Sequence, residues 1–157
     1  MNIEIERKFL VASDDWQPAN RKMTIRQAYL AIGETSTIRV RLSDAAAWLT
    51  IKGKATGIAR PEFEYEIPLA EAEEIAQLSP YPVIEKTRYF VAHDGVTWEI
   101  DVFAGANEGL IVAEVELERA DQSVEIPDWV GPEVTGDYRY HNAYLCRHPY
   151  ITWSQPK

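Results

Sequence analysis

Seven stretches between residues 4 and 118 alternate apolar and charged residues at a period of two, and most of them carry charge of a single sign. Glu4, Glu6 and Lys8 share one face of the first, opposite Ile3, Ile5, Phe9 and Val11. Arg39 and Arg41 oppose Ile38, Val40 and Leu42, while Thr50, Lys52 and Lys54 oppose Leu49 and Ile51. Glu62, Glu64 and Glu66 follow, then Lys86 with Arg88, Glu99 with Asp101, and finally Glu114, Glu116 and Glu118. Two carboxylates one step apart on a strand face lie about 6.6 Å apart at Cα. They repel by about 2.5 kcal/mol at an effective dielectric near 20. Any one strand escapes this by packing its apolar face and splaying its charges into water. The series as a whole fits that account poorly, because exposed strand faces usually mix signs to avoid like-charge neighbours. A closed barrel with a polar interior accommodates it: basic walls grip an oxygen-rich anion, and acidic walls hold cations that bind the same anion.

The expected elements are strands over 4–11, 23–32, 37–42, 48–54, 60–67, 83–92, 97–103 and 110–118. Asp94-Gly95 marks a hairpin turn. Apolar residues at 69, 72, 75, 76 and 78 predict an amphipathic helix over 69–78, stopped by Pro80 and Pro82. Residues 12–20 read as a loop or a turn of helix, and 138–147 as a short helix. Hairpin-length connections predict an antiparallel meander, open or closed, in one mainly β domain spanning 1–157. The outward apolar faces exceed what two short helices cover, so a homodimer is expected.

A net charge of -9 and a pI near 4.8 argue against nucleic acid or an anionic membrane as a partner recognised by bulk charge. Cys146 is the only cysteine, which rules out an intrachain disulfide and a thiolate metal cluster. The chain opens without a basic leader or an apolar run and has no stretch of ~20 apolar residues, so a cytoplasmic protein is expected. Carboxylates at this density suit hard divalent cations such as Mg²⁺ or Mn²⁺, which keep waters and bridge to phosphate. The guanidinium forks of Arg39 and Arg41 suit phosphate oxygens. The residues thus reach a metal-dependent phosphate site and leave substrate and reaction open.

Glu4-x-Glu6-x-Lys8 also opens an ordered set of motifs. Arg39-Val40-Arg41, Lys52, Glu62-Phe63-Glu64, Lys86-Thr87-Arg88, Glu114-Val115-Glu116 and Arg139-Tyr140-His141-Asn142 follow it in turn. Over nearly the whole chain this set resembles the CYTH superfamily, the triphosphate tunnel metalloenzymes. The resemblance implies an eight-stranded antiparallel β-barrel, a tunnel with a few flanking helices, that binds triphosphate with Mg²⁺ or Mn²⁺. It assigns metal binding to Glu4, Glu6, Glu62, Glu64, Glu114 and Glu116, with Asp101 a further ligand. Substrate binding falls to Lys8, Arg39, Arg41, Lys52, Lys86, Arg88 and Arg139, of which Lys8, Lys52, Arg39 and Arg41 carry the catalytic role.

A short chain opening as MNIEIERKFLV is most similar to the bacterial inorganic tripolyphosphatases, which implies hydrolysis of tripolyphosphate to pyrophosphate and phosphate. The cyclase branch has a His-Phe before the first motif that is missing here. A class IV adenylate cyclase, a thiamine or nucleoside triphosphatase and a non-hydrolysing polyphosphate-binding domain are the alternatives. His141 departs from the small or basic residue usual in the terminal motif. Three alternating glutamates, 62, 64 and 66, leave the metal pair's register open, and Glu62 with Glu64 is the choice that follows Arg60-Pro61.

Overall fold

The computed structural model describes residues 2–153. Its strands are β1 (Ile3–Val11), β2 (Arg21–Ile32), β3 (Ser36–Leu42), β4 (Ala47–Gly53), β5 (Ala59–Ile67), β6 (Ile84–His93), β7 (Val96–Phe103), β8 (Ile111–Glu116) and β9 (Val130–Glu133). Two helices, α1 (Leu69–Ala76) and α2 (Asn142–Leu145), join them, with single 3-10 turns at Gly105–Asn107, Tyr138–Tyr140 and Tyr150–Thr152.

Neighbouring strands run in the order β5-β4-β3-β2-β6-β7-β8-β1, and a β1–β5 pairing closes these eight into a ring. Every pairing is antiparallel. The expected single meander is really two, β2 to β5 and β6 to β8, with β1 as the strand between β5 and β8. One edge of β1 pairs with β8 over Glu6 to Leu10. The other edge is divided, with Ile3 to Ile5 on β5 and Phe9 and Val11 on β9. Between these two partners, Lys8 N donates to Thr135 Oγ1 (2.9 Å) and Lys8 O accepts from Val134 N (2.8 Å). Strand β9 lies outside the ring and was not expected, because Gly131 and Pro132 are poor strand residues. The open edge of β1 supplies the ladder that forms it.

Two further boundaries differ from expectation. Helix α1 stops at Ala76 rather than residue 78. The helix expected over 138–147 is broken at His141, whose extended backbone (φ -75, ψ 139) separates a 3-10 turn from the four residues of α2.

Irregular segments provide more of the outer cover than helices do. Helix α1 lays Ala72 and Ile75 on Val40, Leu42 and Ala47 of β3 and β4. The segment carrying Trp16 and the approach to β9 carrying Trp129 cover Phe9, Val91, Trp98 and Ile100 on the opposite side. Trp129 meets Trp98 edge-on at 5.7 Å. The outward side chains Phe63 and Tyr65 on β5 stay exposed. Inside the ring, Tyr29, Ile84, Phe103 and Val112 carry the inward faces past the charged residues to an apolar end, against which α2 packs Leu145 and Cys146. Among the described residues, no helix is long and apolar enough to cross a membrane.

Candidate active site

The inward faces enclose a cavity of about 330 Å³. Glu4, Glu6 and Lys8 reach it from β1, Arg39 and Arg41 from β3, and Lys52 from β4. Glu62 and Glu64 reach it from β5, Lys86 and Arg88 from β6, and Glu114 and Glu116 from β8. Strand register sets opposite charges side by side: Lys8 is opposite Glu114, Lys52 opposite Glu62, and Arg88 opposite Asp101. It also sets Glu6 opposite Glu116 across the β1–β8 ladder. Glu66 shares the parity of Glu62 and Glu64 but does not line the cavity, so the inward pair on β5 is Glu62 with Glu64.

Four of the cations have carboxylate partners. Lys52 Nζ donates to both oxygens of Glu4 (3.0 and 3.2 Å) and lies 3.5 Å from Glu62. Lys8 Nζ donates to the Tyr140 carbonyl (3.1 Å) and lies 3.9 Å from Glu114. Lys86 and Arg88 both donate to Asp101, at 2.8 to 3.0 Å. Arg39 and Arg41 differ: among the described residues neither has a carboxylate in ion-pair range. The buried Nε of Arg39 has no hydrogen-bond partner, while Arg41 Nε donates only to the neutral Gln27 Oε1 (2.9 Å).

The electrostatics follow from this crowding. Burial, added to the charges of Arg39 and Arg88, brings Arg41 down to about 9. Asp101 is fully buried, yet Arg88 and Lys86 outweigh that burial and hold its carboxyl at about 2. With several cations around one carboxylate the lysine yields: burial, then Arg88 and Arg41, bring Lys86 down to about 7 against the pull of Asp101. Burial and then Glu114 raise Glu6 well above the usual carboxylate range. Glu114 moves well below that range because Lys8 and a hydrogen bond from Glu6 overcome its burial.

Oxygen atoms of Glu4, Glu62 and Glu116 all lie within 4.8 Å of one another. Lys52 holds Glu4 below its ordinary range despite burial. Burial and then Glu4 raise both Glu62 and Glu116. A corner of hard oxygen donors that repel one another fits a divalent cation of the Mg²⁺ or Mn²⁺ type.

Two expected site residues lie elsewhere. Arg139 is half-exposed on the 3-10 turn, where Asp137 accepts from its backbone N, Nε and Nη2. That surface ion pair keeps its guanidinium out of the cavity, to which the terminal motif instead contributes His141 and Asn142. Asp101 lies beneath the cavity wall, with both oxygens taken by Lys86 and Arg88. Conversely, Thr37 and Arg60 line the cavity without having been singled out, as does Glu99, which was read with Asp101 as a charged face but given no site role. Parity was the available signal, since Arg60 alternates with Glu62 and Glu99 with Asp101. Tyr29 also faces inward, which parity alone left open.

His141 supplies a pH test of this geometry. Burial, reinforced by Lys8, Arg60 and Lys52, brings its imidazole down to about 4. Unfolded, the ring titrates near 6.5. Between those values the unfolded state binds more protons, so this group makes stability rise with pH and fall on acidification. His141→Gln is therefore expected to reduce the drop in melting temperature between pH 7 and pH 4.5. A drop as large as in the unsubstituted protein would show that the ring does not sit among these cations.

A CYTH domain model matches residues 2–144. The chain is 46% identical over 156 residues to an inorganic triphosphatase of Acetivibrio thermocellus, covering 99% of this chain and all of that protein. It is 38% identical over 147 residues to an inorganic triphosphatase of Nitrosomonas europaea, covering 91% of this chain and 96% of that one. A crystal structure of an inorganic triphosphatase superposes with a TM-score of 0.65 at 33% identity, over 98% of this chain and 99% of that one. The closed ring, the facing walls of charge and these relatives agree, and the chain belongs to the CYTH domain family.

Proposed function

We propose that this protein hydrolyses inorganic tripolyphosphate to pyrophosphate and phosphate with the help of Mg²⁺ or Mn²⁺. One observation carries the reading. Arg39 and Arg41, which have no carboxylate partner among the described residues, share one cavity with the corner formed by Glu4, Glu62 and Glu116. A buried guanidinium donor without an acceptor is costly unless an anion arrives. A carboxylate corner is costly unless a cation arrives. A metal-bound polyanion satisfies both at once. The relatives named inorganic triphosphatase support the same reading.

Arg39 and Arg41 grip phosphate oxygens with their forked donors. Lys8, Lys52, Lys86 and Arg88 neutralise charge along the chain and keep the terminal phosphorus in line for attack. Glu4, Glu62 and Glu116, with Glu6, Glu64 and Glu114 around them, would hold the divalent cation, which when bound neutralises phosphoryl oxygens and acidifies a water. The oxygen of water bonds to the terminal phosphorus, the anhydride P–O bond breaks and pyrophosphate leaves. The apolar end sealed by Leu145 and Cys146 keeps bulk water from that side. The cavity lining is almost entirely charged and offers a nucleobase only Tyr29 and His141 for ring contact, which favours an inorganic substrate over ATP.

The test is phosphate release from tripolyphosphate and from ATP, each with Mg²⁺, Mn²⁺ or EDTA, with cyclic AMP measured alongside. The expected outcome is fast release from tripolyphosphate that EDTA abolishes, with little from ATP. Cyclic AMP from ATP would move the protein to a cyclase reading. Tight tripolyphosphate binding without release would refute hydrolysis.

A further inference from the structure

Gln27 is a neutral side chain on β2, fully buried inside the ring and opposite Arg41 on β3 and Ile84 on β6. Its position in the hydrogen-bond pattern is unambiguous. A guanidinium can only donate, so Arg41 Nε must face Gln27 Oε1 (2.9 Å); Gln27 Nε2 must then face Asn142 Oδ1, which lies 3.1 Å from Lys86 Nζ. Gln27 Nε2 donates to that Asn142 oxygen at 3.2 Å. Three hydrogen bonds therefore run Arg41 to Gln27 to Asn142 to Lys86, joining β3, β2, β6 and the first residue of α2.

We propose that Gln27 and Asn142 are positioning residues that aim Arg41 and Lys86 at the bound triphosphate and lock α2 to the anion site. The inference rests on the triphosphate reading above. Arg41 gives it force: its like-charged neighbours Arg39 and Arg88 repel it, and among the described residues no carboxylate lies in ion-pair range of it, Glu64 and Asp101 acting only from farther off. Gln27 is the one protein acceptor that fixes its guanidinium among the described residues. A carboxylate at position 27 would neutralise Arg41 and compete with the substrate. The amide orients the cation and leaves its charge available. Asn142 gives Lys86, which already pairs with Asp101, a second and neutral partner, and it ties the direction of both cations to the seating of α2 on the apolar end.

The test is a double-substitution cycle read on tripolyphosphate turnover and, by calorimetry, on tripolyphosphate binding. Gln27→Met keeps much of the volume and removes both hydrogen bonds. It is expected to raise KM and Kd about tenfold while kcat stays within about threefold. In an Arg41→Met background the same change is expected to add less than about twofold, because the group that Gln27 aims is gone. Equal effects in both backgrounds, or a fall in kcat and melting temperature at unchanged KM, would overturn the inference. Asn142→Ala cuts the chain from its less buried end and carries the same comparison should Gln27→Met fail to fold. Binding without turnover in the unsubstituted protein refutes the hydrolase reading, yet the cycle can still be read on Kd. Intact turnover without coupling refutes only the positioning role.

Discussion

Glu4→Gln abolishes metal-dependent phosphate release from tripolyphosphate, with kcat/KM expected to fall by at least about a hundredfold. The side chain is nearly isosteric, so the change is in charge rather than shape. Glu4 holds two positions at once: it accepts Lys52 Nζ with both oxygens, and it forms the acidic corner with Glu62 and Glu116. The amide leaves that corner one charge short for a divalent cation. It also replaces one of the two acceptor oxygens with an NH₂ group, so Lys52 keeps one amide oxygen and, among the described residues, Glu62 as its remaining carboxylate. Steady-state rates across a Mg²⁺ titration make the measurement. The expected signature is a loss that excess Mg²⁺ does not restore, in a protein whose circular dichroism is unchanged. Near-normal turnover would remove Glu4 from the metal site.

Arg39→Ala comes second, with an expected loss of roughly a hundred- to a thousandfold in kcat/KM, much of it in KM. Arg39 is buried, lacks a carboxylate in ion-pair range among the described residues, and has an unpartnered Nε. Its Nε is thus free for a phosphate oxygen, unlike that of Arg88, whose Nε and Nη2 are engaged by Asp101. Arg39→Lys is expected to recover only part of the loss, since an ammonium is a point charge without the fork. A ligand-induced shift gives an independent reading: tripolyphosphate raises the melting temperature of the unsubstituted protein, and by much less in Arg39→Ala. Equal shifts in both proteins would mean that Arg39 does not touch the ligand.

Much of this site was legible as parity. On each strand the period of two separated Glu4, Glu6 and Lys8 from Ile5 and Phe9, or Arg39 and Arg41 from Val40 and Leu42, and the ring keeps those separations. Parity also contained Arg60 and Glu99. What it lacks is the identity of a partner. That Asp101 gives its oxygens to Lys86 and Arg88 depends on the β6–β7 register. That Arg139 stays on the surface depends on an aspartate two residues before it. Strand β9 was hidden for a different reason. Its Val-Gly-Pro-Glu sequence has little strand propensity of its own, and it forms because the far end of β1 offers unpaired backbone groups. Gln27 was overlooked because its strand face, Ile25, Gln27 and Tyr29, carries no charge to mark it as part of the series.

The seam of the ring has a temporal consequence. Among the described residues, strand β1 meets β5 through the Ile3, Glu4 and Ile5 pairs and the Asn2 carbonyl accepting from Glu62 N, and it meets β8 through residues more than a hundred positions away. Glu4, Glu62 and Glu116 come from these three strands, so the acidic corner and the seam are one place. During folding, the two meanders can assemble from neighbouring hairpins, but this corner cannot exist until the first strand synthesised is stitched to one of the last. Contacts of such long sequence separation form late and slowly. Its mutual repulsion is met only at that closing step, where a divalent cation would offset it. Unzipping the three residue pairs between β1 and β5 draws Glu62 away from Glu4 and Glu116 while the other strand pairings of the ring remain, so activity is expected to fail before the fold does.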